Sequence, residues 1–256
     1  MIHPTALIDP SAKLADSVEV GAYSIIGAGV EVGDKTWIGP HVVIQGPTKI
    51  GRENKLFQFS SIGEVPQDKK FHGETSFLEI GDRNTIREFA TINRGTVDGG
   101  GTTRIGNDNW LMAYIHIAHD CQVGDNTIFA NNASLAGHAI IEDYVILGGF
   151  TLVHQFCSIG QHAFCGMGSA ISKDVPPYVM VNGSPAHAHG LNSEGIKRKG
   201  FSKEAIKALR EAYKIVYRSH NTVDVAKEEL KPLAEKFTEV ENMLTFLEQS
   251  QRGILR

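Results

Sequence analysis

No stretch of this 256-residue chain approaches the roughly 20 consecutive apolar residues that a membrane-spanning helix needs. Its first residues also lack the basic-then-apolar order of a secretory signal. A cytoplasmic protein without a membrane span is therefore expected. Cysteine is scarce, with Cys121, Cys157 and Cys165 the only three. Positive charge is short over most of the length: residues 1–190 carry 12 basic against 19 acidic side chains, net −7, whereas 191–256 carry 13 against 10, net +3. An acidic chain with no recognisable nucleic-acid module argues against a nucleic-acid partner. The positive charge gathers at Lys197, Arg198, Lys199, Lys203, Lys207, Arg210, Lys214 and Arg218. That cluster suits either an anionic partner or a solvated helix face.

What the chain has in abundance is a clock. Ile2, Ile8, Leu14, Val20, Ile26, Val32, Ile38, Ile44, Ile50, Leu56 and Ile62 recur at every sixth position. The beat resumes at Ile80, Ile86 and Ile92. It then runs from Ile105 through Leu111, Ile117, Val123, Phe129, Leu135, Ile141, Leu147, Val153, Ile159 and Cys165 to Ile171. Six is a multiple of the strand period of two, so these side chains all point one way in extended chain; it does not fit a helix of about 3.6 residues per turn. The residue four places after each marker is usually small or β-branched, as at Val18, Ser24, Thr127, Ala133 and Val145, so both positions face inward. Glycine often follows the marker, as at Gly33, Gly81, Gly106 and Gly124, where the chain must turn. The economical object is a prism with one short strand per side, a parallel β-helix solenoid. All three cysteines fall on inward positions and read as buried structural thiols.

The clock stops near Ile171, and from Asn192 the pattern becomes helical. Ser202 caps a helix carrying Ile206, Leu209, Tyr213 and Val216. Thr222 caps a second with Leu230 and Leu233, and a third holds Val240, Met243, Leu244 and Leu247. The expected organisation is a β-helix over 1–191 followed by a small α-helical domain over 192–256. Two breaks, near 63–79 and 95–104, read as loop excursions, which solenoids place on one side, often where ligands bind. The first supplies Gln67, Asp68, Lys69, Lys70, Phe71 and His72 and is the better candidate to touch ligand. The second, GTVDGGGTT, is glycine-rich and flexible and has no phosphate-loop spacing.

Eleven histidines are many for this length. His116, His119, His138 and His154 avoid the two inward places of the hexad, so they are not core residues. If three hexads make a coil, the hexads of Ile117, Leu135 and Val153 stack, and His119, His138 and His154 lie along one edge with coils about 4.8 Å apart. His116 sits on the neighbouring strand. Two chemistries use such a cluster: a neutral imidazole as general base, or three imidazoles holding a zinc ion with an open position for water.

The strings HIAHDC (His116–Cys121), NNASLAGH (Asn131–His138), VHQF (Val153–Phe156), DVPPYV (Asp174–Val179) and RKGFS (Arg198–Ser202) resemble the UDP-N-acetylglucosamine 3-O-acyltransferase family over essentially the whole chain. The resemblance implies a left-handed β-helix with three hexads per coil, a hand opposite to the general right-handed rule for parallel crossovers. It implies the first step of lipid A biosynthesis in Gram-negative bacteria: transfer of a 3-hydroxyacyl chain from acyl carrier protein to the 3-hydroxyl of the UDP-N-acetylglucosamine sugar. No cofactor or metal, and no acyl-enzyme, belongs to that picture. The related N-acyltransferase has an extra N-terminal nucleotide-binding domain, which is not expected here, because the repeat begins at Ile2.

Carried over by position, His119 is the general base, Asp120 supports it, and the Gly137 N–H binds the oxyanion. His116, His138, His154, Gln155, Gln67, Asp68, Lys70, Asn192, Glu194 and Arg198 hold the nucleotide-sugar, an arginine fork suiting a pyrophosphate. Lys199 stands where the family often has a second arginine, and Asn93 where it has a histidine. Met167 occupies a position where glycine leaves room for a longer acyl tail, which points to donors of around ten to twelve carbons. Homotrimers with sites between subunits follow from the same likeness, and the basic tail gains acyl carrier protein as a partner. Two other readings predict different features. A zinc lyase resembling γ-class carbonic anhydrase needs no helical tail. A structural, ice-binding type of solenoid shows repetitive outward threonines rather than clustered histidines.

Overall fold

The computed structural model describes all of residues 1–256. Three parallel sheets of nine, eight and ten strands form the sides of a prism. The first runs from Leu7–Ile8 to Ala170–Ile171, the second from Lys13–Leu14 to Ser158–Ile159, and the third from Glu19–Val20 to Phe164–Cys165. The third is completed by the antiparallel pair Val179–Gly183 and Ala186–Leu191. Ile117 pairs with Leu135, and Leu135 with Val153, so one coil is three hexads, eighteen residues. The excursions do not disturb this register: Ile62 pairs with Ile92, and Ile92 with Ile117.

The markers form one continuous core of 42 buried residues. Burying each aliphatic side chain contributes about 1.5–3 kcal/mol. The first coil departs from expectation: Ile2 is half exposed and Ile8 and Leu14 are partly so, because no coil lies beneath them. The three cysteines are buried as expected.

Glycine's role at the corners differs from the turn chemistry expected. The left-handed backbone falls two places later, on Lys35, Arg83, Asp108 and Asn126, with φ of 58, 57, 58 and 58°. Gly33, Gly81, Gly106 and Gly124 are required instead because coils approach closely; a Cβ on Gly81 would lie 2.6 Å from the Gly106 carbonyl oxygen. Inside the same edge runs a polar ladder. Asn84 Oδ1 accepts from the Asn109 N–H at 2.9 Å and Asn109 Oδ1 from the Thr127 N–H at 2.7 Å, while Asn84 Nδ2 donates to the Gly106 carbonyl at 2.9 Å. Backbone groups that the corner removes from the sheets thus find partners inside the prism.

Both excursions are shorter than the spacing suggested. Strands Ser61–Glu64 and Phe77–Ile80 leave 65–76 off the prism, and Thr91–Asn93 and Thr102–Ile105 leave 94–101. Leu78 and Thr103, two places before a marker, are buried, as the strand period demands.

Four helices follow: α1 (Ser193–Arg198), α2 (Lys203–Tyr217), α3 (Val223–Ala234) and α4 (Thr238–Gln249). Ser202 and Thr222 cap α2 and α3, accepting from the Ala205 and Val225 N–H groups. α1 was not anticipated, although its cap is visible in the sequence: Asn192 Oδ1 accepts from the Gly195 N–H at 3.1 Å. The helices share a second core containing Tyr178, and the chain end returns to the prism, where the Leu255 N–H donates to the Asp174 carbonyl.

Candidate active site

At the edge between the first and second sheets the corner tetrads 118–121, 136–139 and 154–157 stack in eighteen-residue register. His119 therefore lies against Gly137, with Gln155 one coil further, and Asp120 against His138, with Phe156 one coil further. Asp120, His138 and Phe156 take left-handed backbone, φ 62, 62 and 63°, which rotates each side chain out of strict strand alternation. This is how adjacent residues His119 and Asp120 come to meet: His119 Nδ1 is 2.8 Å from Asp120 Oδ2. The His119 ring occupies the space a side chain on residue 137 would fill, since a Cβ there would lie 2.6 Å from His119 Cε1. His138 is clamped by stacking on Phe156, ring centroids 4.4 Å apart, and meets His119 edge-on at 5.2 Å.

The fourth hexad place predicts an outward Asp120, but its carboxylate has no exposed surface. The second excursion covers it. The Thr96 N–H donates to Oδ1 at 2.8 Å and the Thr96 hydroxyl to Oδ2 at 2.6 Å, while the Asp120 N–H donates to Thr103 Oγ1 at 2.8 Å. Burial pushes this carboxyl group up, but the bonds from His119 and Thr96 outweigh it and hold it below the usual carboxylate range. Asp120 is thus ionised and accepts only, so His119 Nδ1 carries the hydrogen and, in the neutral ring, Nε2 is the acceptor. Burial holds both His116 and His138 below the usual imidazole range, with His119 adding to the effect on each and Asp120 opposing it at His138. Burial thus favours the neutral form of both. His116 Nδ1 is fixed by Thr91 Oγ1 at 2.8 Å.

A cleft of about 380 Å³ opens beside this edge, walled by His116, His119, Gly137 and, from the first excursion, Gln67. The Gly137 N–H makes no hydrogen bond within the chain and is free to meet a ligand. Asp68 and Lys70 line an adjoining 430 Å³ cleft with Phe71, His72 and Thr96, so both excursions wall the site. A larger concavity, about 900 Å³ between the second sheet and α4, has no histidine in its lining.

The stacked trio of histidines is corrected to a pair. His154 occupies the tetrad place of Ala118 and Ala136, one before His119; it is exposed, its Nδ1 held by the Gln155 carbonyl at 3.1 Å. The three-imidazole zinc geometry does not form. The groups whose donor atoms lie within 4.8 Å of one another are His119, His138 and Asp120, and the His119 Nδ1 and Asp120 Oδ2 atoms of that set are already bonded to each other.

Asn192, Glu194 and Arg198 lie at the edge between the second and third sheets, where Asn192 Nδ2 donates to the His162 carbonyl. Lys199 covers the Tyr144 ring there at 4.2 Å. Met167 lies at the remaining edge and is 80% exposed, so it is not a core filler. Asn93 is buried, donating to the Val65 carbonyl. One chain therefore assembles His116, His119, Asp120, Gly137, His138 and Gln67, with Asp68 and Lys70 adjoining, but neither the tail residues nor Met167. Sequence reasoning missed Thr96 and Thr103; their chain position beside a break carried no sign of Asp120.

Residues 174–255 match the second-domain model of UDP N-acetylglucosamine O-acyltransferase, and residues 102–137 match the bacterial transferase hexapeptide model. The acyl-[acyl-carrier-protein]–UDP-N-acetylglucosamine O-acyltransferase of Thiobacillus denitrificans is 60% identical, covering 100% of this chain and 99% of its own. The solved UDP-N-acetylglucosamine O-acyltransferase of Moraxella catarrhalis aligns with TM-score 0.98 at 52% identity, and LpxA of Acinetobacter baumannii with 0.98 at 50%; each comparison covers 100% of this chain and 99% of the other. The prism is accordingly a left-handed parallel β-helix, with helices at its C-terminal end.

Proposed function

The chain belongs to the UDP-N-acetylglucosamine O-acyltransferase family and transfers an acyl group from acyl carrier protein to UDP-N-acetylglucosamine, opening lipid A biosynthesis; we propose that His119 is the general base of this transfer. The observation that carries the assignment is the His119 Nδ1–Asp120 Oδ2 bond, which leaves the Nε2 lone pair available beside a free Gly137 N–H. The sugar 3-hydroxyl loses its proton to Nε2 as its oxygen forms a bond to the thioester carbonyl carbon of a 3-hydroxyacyl donor. The Gly137 N–H takes the charge developing on the carbonyl oxygen, a contribution of about 3 kcal/mol for such donors. Collapse breaks the carbon–sulfur bond, and the carrier thiol leaves with the proton held by His119.

Direct transfer is favoured over an acyl-enzyme because no thiol is a ready nucleophile. Burial pushes Cys121 and Cys165 up to about 12 and Cys157 to about 11. His116, His138, His154, Gln155, Gln67, Asp68 and Lys70 are assigned to the nucleotide-sugar from one subunit, and Asn192, Glu194 and Arg198 from the next. A homotrimer supplies that arrangement. Supporting it, the first sheet turns Leu7, Ile25 and Leu152 outward and exposed, and its edge with the third carries an exposed stack of Tyr23, His41, Phe59, Phe89 and Tyr114. The basic face around α2 is assigned to acyl carrier protein, by charge, and the reaction to the cytoplasm.

Replacement of His119 by Ala tests the base. Transfer from 3-hydroxyacyl carrier protein falls at least about 100-fold, with oligomeric state and circular dichroism unchanged. Retained transfer would remove His119 from the role.

A further inference from the structure

We propose that the glycine-rich excursion 94–101 is a fixed cap over the Asp120 carboxylate, and that Thr96 is a positioning residue that orients the His119–Asp120 pair. The proposal rests on His119 being the base. Its ground is the fit of the loop to one side chain. Thr96 is buried and caps the short helical turn Val97–Gly99. Its hydroxyl accepts from the Gly99 N–H at 3.3 Å and donates to Asp120 Oδ2 at 2.6 Å, while its own N–H donates to Oδ1 at 2.8 Å. Hydrogen bonds thus run in one direction, from Gly99 through Thr96 to the carboxylate. The oxygen that receives the Thr96 hydroxyl is the one that receives the His119 Nδ1–H.

The glycines serve this contact. A Cβ on Gly99 would overlap the Asp120 carboxylate, and one on Gly95 would lie 2.8 Å from Asp120 Oδ1. The loop is therefore seated on the carboxylate with no space for water. Neither carboxylate oxygen can turn away from His119 without giving up a Thr96 bond. The imidazole keeps its hydrogen on Nδ1 through each turnover. Acting through Asp120, Thr96 thereby selects the productive tautomer.

The titratable groups facing the pair are His116 on the preceding strand, His138 on the next coil, the Cys121 thiol, and, from the excursions, Asp68 and Asp98. All are retained in the variants that follow. Thr96→Val keeps the side-chain shape and removes the hydroxyl donor; Thr96→Ser keeps the donor. In Thr96→Val, kcat falls about ten- to a hundredfold, the range for one hydrogen bond to a charged group, while KM for UDP-N-acetylglucosamine stays close to the wild-type value. A carboxylate with less of its charge taken up by donors also attracts the imidazolium form more strongly, so the acid limb of the kcat/KM profile moves to higher pH. Thr96→Ser restores both rate and limb. An acid limb that stays in place or moves down in Thr96→Val, or a Thr96→Ser variant as impaired as Thr96→Val, overturns the proposal. His119→Ala run alongside separates the two readings. Retained activity there removes the base and the Thr96 proposal with it, whereas an inactive His119→Ala with an unmoved Thr96→Val profile removes the Thr96 proposal alone.

Discussion

Gly137 has no side chain because the His119 ring fills the place where one would stand. At the scale of single residues, the chemistry depends on such local fits more than on residue type. His119 and Asp120 are neighbours in sequence that strand alternation would send to opposite sides; the positive φ of Asp120 brings them together. The sequence contained the resemblance that named this pair but not the corner that makes it work, because a left-handed residue other than glycine leaves no compositional mark. Met167 was singled out by the resemblance, not by the hexad count. Its 80% exposure on the coil above Gly149 is consistent with a residue that ends an acyl groove rather than filling a core. Met167→Gly is expected to move donor preference toward chains a few methylenes longer, each worth about 1 kcal/mol of discrimination. Initial rates over carrier-protein thioesters of graded length read this out, and an unchanged optimum counts against Met167.

At the scale of elements, the hexad clock set strand positions and inward faces with few errors, since a period of six is a physical constraint on every coil. Its failures have identifiable causes. The first coil lacks a neighbour below, and the excursions hid Leu78 and Thr103, whose strands pair Phe77–Ile80 with Thr102–Ile105 across a break in the count. The asparagines at inward positions, Asn54, Asn84 and Asn109, bond the backbone of successive coils. Asn84→Ala leaves the Asn109 N–H and the Gly106 carbonyl without partners inside the prism. A loss of about 2–5 kcal/mol is expected, read as a fall of several degrees in the thermal midpoint; an unshifted midpoint would show the ladder to be dispensable.

At the scale of the whole molecule, the proposed site is incomplete in one chain. The histidine edge, the tail residues Asn192, Glu194 and Arg198, and Met167 occupy three different edges of the prism. The repeat fixes position along and around a coil and so separates the histidine edge from Met167, but it does not fix which edges meet across a subunit boundary, which the resemblance alone implied. The central claim is that a His119 from one subunit works with a tail from the next. The direct measurement is acyl transfer by trimers reassembled from equal amounts of His119→Ala and Arg198→Ala chains, each impaired alone. Random assembly places an intact His119 edge beside an intact tail at about a quarter of the boundaries, so the mixture is expected to recover about that share of wild-type activity. A mixture no more active than the two variants measured separately would contradict a site shared between subunits.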